Sequence, residues 1–249
     1  MGEILKNPPL VEAVCEFQFD PESKWDWTIP GLLFEKIGGE FSERAEVHRL
    51  GVTVQQLSRK ITQPSVIESG PERIQLKRSD SSAMVQVGPR QLIINHLRPY
   101  KNWDTFCELI LRIYSTYLSV IQSGRISRLG LRYVNQIELT EFSSDWKNII
   151  SIWPSFPNKL KRDVATFFQR YELKHNKPEG VLIHQTGLIQ SDDKSMVVLD
   201  LDFISTAVSE LVEKDQVAEW LNQAHDRIEE SFIDSLTPDA YTWLKEGKK

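Results

Sequence analysis

A chain of 249 residues, 40% hydrophobic and 26% charged, has the make-up of a globular protein able to bury a core in one large domain or two small ones. Its net charge of -5 argues against a dedicated nucleic-acid binder. No run approaches the roughly 18 apolar residues needed to span a bilayer, and the start, Lys6-Asn7-Pro8-Pro9 followed by alternating polar residues, is not a signal peptide.

The first element is a strand. In Val11–Phe19 the odd positions Val11, Ala13, Cys15, Phe17 and Phe19 alternate with Glu12, Val14, Glu16 and Gln18. A period of two marks one buried and one wetter face. Pro8 and Pro9 cannot donate to a ladder, so they stop the strand from extending backwards. Leu33, Ile37 and Phe41 then recur at helical spacing, weakened by Gly38-Gly39 at about 1 kcal/mol per glycine. Strand-like runs follow at Val52–Leu57, Arg73–Lys77 and Met84–Leu97, the last folded by Gly88-Pro89 into a hairpin or bulge. The clearest helix comes next, with Asn102 as its cap and Trp103, Phe106, Ile110, Ile113, Tyr117 and Ile121 on one stripe.

The pattern then restarts. "RLGLRYVNQIEL" alternates like the first strand, and a short helix with Trp146, Ile149, Ile150 and Trp153 ends at Pro154. Three strand-like runs, Thr166–Leu173, Val181–Ile189 and Met196–Ile204, precede a long helix carrying Val217, Trp220, Leu221, Ala224, Ile228 and Phe232. The expectation is an α+β fold, a single domain spanning 1–249. It would be built of two pseudo-repeats, 1–124 and 125–249, each a strand, a helix, three or four strands and a long helix. Trp103 and Trp220 would match, and the halves would share one antiparallel sheet with both long helices on one face. At the level of topology that looks like the TATA-box-binding-protein saddle, although fold analogy does not carry function with it.

Four stretches, "KNPPLVEAVCEF", "LIINHLRPYKNWDTF", "RLGLRYVNQIEL" and "VVLDLDF … WLNQAHDRIEESFIDSLTPDAY", resemble a sporadically distributed bacterial family of uncharacterised proteins of about this length. The Asn-Pro-Pro-x-Val-Glu-Ala-Val opening and the Leu-Arg-Tyr-Val-Asn strand are its more specific parts. The resemblance implies a bacterial or phage-related origin and an accessory role such as antiviral defence. It supplies no catalytic residues.

Candidate chemistry is sparse. Asp200 and Asp202 stand two apart on a strand, so both carboxylates share a face and could hold a divalent metal; the alternative is that both simply face water. His225 lies one step off the apolar stripe of its helix, either as a ligand or partner contact or as a half-buried histidine with one hydrogen bond. Asn135 stands on the apolar phase of its strand, where a buried amide must be bonded or costs about 1–3 kcal/mol. It reads as a ligand contact or as a structural bond to a neighbouring loop. His48, His96, His175 and His184 form no HExxH or Cys/His set, and the glycines form no phosphate cradle. Cys15 and Cys107 are far apart and in no CxxC spacing, which argues against structural zinc or a disulfide framework and makes the cytoplasm the expected address.

Arg59, Lys60, Arg73, Lys77, Arg78 and Arg90 form a basic cluster for phosphate contact, or else a solvated face. From Leu57 to Arg132 there are 12 Lys/Arg against 5 Asp/Glu, and from Ser191 to Lys249 there are 6 against 14. Such a split concerns partners rather than fold. The expectation is a non-enzymatic, cofactor-free cytoplasmic module that binds a protein partner or a second copy of itself, without membrane contact. Nucleic-acid binding through the basic first half is the alternative, and a metal-dependent enzyme using Asp200 and Asp202 stands behind it.

Overall fold

The computed structural model describes residues 5–53, 65–121, 124–153, 164–190, 194–209 and 213–247. Along the chain run β1 (Leu10–Phe19), α1 (Ile29–Ile37), β2 (Glu43–Thr53), β3 (Ser65–Lys77), β4 (Ala83–Gly88), β5 (Gln91–Leu97) and α2 (Trp103–Ile121). They are followed by β6 (Ile126–Glu138), α3 (Leu139–Phe142), β7 (Phe167–Asn176), β8 (Glu179–Gln190), β9 (Ser195–Ser205), α4 (Lys214–Ser235) and α5 (Pro238–Glu246). The strands make one nine-stranded sheet in the order β2-β3-β4-β5-β1-β6-β9-β8-β7, antiparallel at every junction. The fold is α+β, and among the described residues no helix is long and apolar enough to cross a membrane.

The alternation of β1 puts Ala13, Cys15, Phe17 and Phe19 in the core and leaves Glu12, Glu16 and Gln18 on the other face. β1 sits mid-sheet, with Phe17 level with Leu92 of β5 on one side and Leu129 of β6 on the other. α2 and α4 cover the Phe17 face. Tyr114 of α2 stacks on Phe17 at 4.6 Å and 9°, and Val217, Leu221, Ala224 and Ile228 of α4 are buried with it in one core. Val217, Leu221 and Ile228 each contribute about 1.5–3 kcal/mol on burial. A second core gathers Trp146, Ile149, Ile150, Leu236 and Leu244 around α5.

Asn102 caps α2 as expected: its Oδ1 accepts from the Thr105 N–H at 2.9 Å. Pro89 and Arg90 form the tight turn of the β4–β5 hairpin, with Arg90 at φ 57°. The run expected at Val52–Leu57 lies partly outside the described residues; the strand observed there, β2, begins at Glu43. β2 is an edge strand whose Glu43, Arg44 and Glu46 put charge on both faces, so no apolar period announces it. The helix expected around Trp146 is instead the four-residue α3 and a single 3-10 turn, Trp146–Asn148. α5 lies beyond the expected elements; Thr237 caps it, its Oγ1 accepting from the Ala240 N–H at 3.2 Å ahead of Pro238. Trp103 opens α2, whereas Trp220 lies well inside α4, so the two tryptophans hold different helix positions.

Candidate functional site

Two of the residues singled out in the sequence, Asn135 and His225, line one cavity of about 140 Å³ on the helical side of the sheet. Its floor is the end of β6, through Tyr133 and Asn135, and its wall is α4, through His225, Ile228, Glu229 and Phe232. The segment after β5 supplies Tyr100 to Trp103, and the segment entering β1 supplies Pro8 and Pro9. Residues from four well-separated stretches of the chain therefore contribute to it.

Local chemistry builds this cavity. Pro8 and Pro9 end the ladder, but the Pro9 carbonyl still accepts from the Gln136 N–H at 2.9 Å. Arg98 fastens the same segment, donating from Nε to the Leu10 carbonyl at 3.0 Å and from Nη2 to that of Pro9 at 3.3 Å. The hydroxyls of Tyr100 and Tyr133 lie 3.0 Å apart, and burial pushes both phenols up, so each stays protonated. Trp103 donates its indole N–H to Asn222 Oδ1 at 2.7 Å and stacks on His225 at 4.4 Å and 14°. Tyr133 meets the same imidazole edge-on at 5.7 Å. Only 8% exposed, His225 has its pKa lowered to about 4 by burial, so the ring is neutral at physiological pH. The half-buried histidine expected from the sequence is thus a buried one. Its Nδ1 stands 4.0 Å from Asp226 Oδ1, beyond hydrogen-bond distance.

Asn135 is buried and donates Nδ2–H to the Leu199 carbonyl at 3.3 Å, a partner on the neighbouring strand rather than on a loop. His225, Asp226 and Glu229 place ligand atoms within 4.8 Å of one another. They come from adjacent turns of a single helix and Asp226 is exposed, an incomplete set for a divalent ion. The cavity is otherwise aromatic and apolar, with Lys101, Asn102 and Glu229 at its rim.

The other candidates lie elsewhere. Asp200 and Asp202 share the sheet face opposite the helices, but Asp200 does not face open water. It is 8% exposed and accepts from Arg132 Nε at 2.8 Å, Arg132 Nη2 at 2.6 Å and Gln185 Nε2 at 3.1 Å. Asp202 stands level with Arg132 across the β6–β9 ladder, and burial raises its pKa to about 6 against the pull of Arg128 and Arg132. Arg59 and Lys60 lie outside the described residues. Arg73 and Lys77 stand on β3 and Arg90 in the β4–β5 turn, while Arg78 turns to Glu40 and caps the Phe41 ring. Arg78 is thus held in an ion pair with Glu40.

Nothing in the sequence singles out Tyr100 or Tyr133 as site residues. Tyr133 is in phase with its apolar neighbours, and Tyr100 sits in a connection, so neither stood out. No family model matches the chain, and a comparison with the curated proteins found no match.

Proposed function

We propose that this chain is a binding module that seats an aromatic or apolar side chain of a protein partner in the cavity between β6 and α4. The observation that carries the reading is the convergence of Asn135 and His225 on one ring-lined cavity. At about 140 Å³ its size suits one benzene-sized ring. The walls offer faces and edges for aromatic contact, and Asn135, Lys101 and the paired tyrosine hydroxyls offer orienting polar groups, the usual division of labour in a recognition pocket.

The test is a titration with N-acetyl-tryptophanamide and N-acetyl-tyrosinamide, followed by NMR of the Trp103 indole N–H and of backbone signals. Saturable shifts confined to Trp103, Tyr133, Asn135 and α4, abolished by Asn135→Leu, are expected. Shifts spread over unrelated surfaces, or none at millimolar probe, overturn the reading.

The same proposal includes a duplicated architecture, in which 1–124 and 125–249 are one unit used twice, as in the TATA-box-binding-protein topology. Its support is the order of strands outward from the β1–β6 junction, β5-β4-β3-β2 on one flank and β9-β8-β7 on the other. A cytoplasmic accessory role in bacterial defence belongs to the same reading and rests on the family resemblance alone.

A further inference from the structure

The two ends of the sheet are protected differently. β2, at one end, carries register shifts around His48 and presents Glu43, Arg44 and Glu46. Bulges and charges of that kind discourage a further strand from pairing. β7, at the other end, pairs with β8 in unbroken register from Phe167 to Asn176, and among the described residues no strand lies beyond it. Its large apolar side chains stand in water: Phe168 is 69% exposed, Leu173 46% and Tyr171 43%. The flank containing β2 has five strands and the flank containing β7 has four, so β7 occupies the position that β2 covers on the other side.

We infer that β7 pairs antiparallel with β7 of a second copy of this chain about a two-fold axis at Tyr171. Charge complementarity selects this occupant and this register. A two-fold perpendicular to the sheet keeps like faces together, so the axis must pass through a residue, and opposed residues then share a face. With the axis at Glu172, like charges meet, Glu172 on the partner's Glu172 and Arg170 on the partner's Lys174. At Arg170, two guanidinium groups meet. At Tyr171, Arg170 opposes the partner's Glu172 and Glu172 the partner's Arg170, while Phe168 lies against the aliphatic stem of the partner's Lys174. An axis at Leu173 also pairs Glu172 with the partner's Lys174, but it overlaps only 170–176, whereas the Tyr171 axis overlaps 167–175. Within one chain Arg170 Nη2 already donates to Glu172 Oε1 at 2.7 Å, with both side chains largely exposed, so the groups are in place to exchange partners. Joining two edges pairs the free backbone groups along the overlap and brings the exposed rings of Phe168 and Tyr171 against partner side chains.

Sedimentation velocity over a concentration series tests this on the full chain. A reversible dimer is expected, weakened at least about tenfold by Glu172→Arg or by Arg170→Glu and restored when both are combined, because the swapped charges again oppose each other across the axis. In a Cys107→Ser background, Tyr171→Cys forms an intermolecular disulfide under mild oxidation and Leu173→Cys does not. Circular dichroism checks that each variant is folded. A wild-type chain that stays monomeric into the tens of micromolar, single swaps without effect, a double swap that fails to restore association, or cross-linking through Leu173→Cys instead overturns the inference.

Discussion

The imidazole of His225 lies face to face with the indole of Trp103, centroids 4.4 Å apart and planes 14° from parallel, keying α4 to the first turn of α2. Such a pair contributes about 0.5–1.5 kcal/mol beyond its buried area. It also fixes a pH dependence. Burial lowers the histidine from 6.5 to about 4, with Asp226 and Asp104 pulling weakly the other way. Between those values the unfolded chain binds more protons than the folded one. The contribution is therefore complete above pH 6.5 and is lost as pH falls towards 4. At about 1.4 kcal/mol per pKa unit the full swing approaches roughly 3 kcal/mol. His225→Phe, which keeps a stacked ring but cannot titrate, is expected to reduce the stability difference between neutral and mildly acidic solution by about 1–3 kcal/mol, read by urea denaturation.

Asp202 has the opposite sign. Its folded pKa is raised from 3.8 to about 6, so the folded chain binds the extra proton in that window. The penalty is fully present above about 6 and vanishes below 3.8. Asp202→Asn is expected to stabilise the protein by about 1–3 kcal/mol at neutral pH and by nothing measurable at the acid end of the window. The two titrations offset each other in the intact chain, so each single variant tilts the stability–pH curve in a different direction.

Asp200 and Arg132 form a bidentate pair whose carboxylate is nearly buried and whose guanidinium is about half exposed, with side-chain exposures of 12% and 46%. Solvent around the arginine limits the coupling to about 1 kcal/mol in a double-mutant cycle with Asp200→Asn and Arg132→Gln. Asp200→Ala alone is expected to cost more, about 1–3 kcal/mol, because it strands Gln185 as well. With the guanidinium occupying both Asp200 oxygens, Mg²⁺ is expected to leave the melting temperature of the wild type and of the Asp200→Asn, Asp202→Asn double variant unchanged.

Much of this architecture was legible in the sequence wherever one face is buried and the other wet. β1, β6 and β9 announce themselves by alternation, and α2 and α4 by their apolar stripes. The edge strand β2 escapes this reading: its charges fall on both faces, and neither face contrasts with the other. Asn135 and His225 could be picked out singly, as polar residues in or beside apolar phases. That they meet could not, because it depends on α4, which follows β9 some seventy residues after β6, packing back over β6. The Asp200–Arg132 pair was hidden for a similar reason. Val134 stands directly opposite Asp200 in the ladder, and the arginine reaches it diagonally.

Gly180 opens β8 under the side chain of Phe203. A Cβ there would lie 2.5 Å from the Ile204 carbonyl oxygen and 2.7 Å from the Phe203 ring. The oxygen belongs to the backbone of a central strand and cannot swing aside. Gly180→Ala is therefore expected to destabilise by about 1–3 kcal/mol, whereas Gly39→Ala, with open space around it, stays within about 0.5 kcal/mol, both read as shifts in denaturation midpoint.

The sheet order has one further consequence. Strands β1 to β5 all lie on one side of the β1–β6 junction and β6 to β9 on the other, so the chain passes from one flank to the other once, between α2 and β6. A cut at that passage severs a single covalent link and no ladder. The flanks would then be two molecules whose mutual recognition sites are β1, exposed along one edge, and β6, the strand that completes it. Rejoining the two pieces would have to restore both the β1–β6 ladder and the core that α2 and α4 share across it.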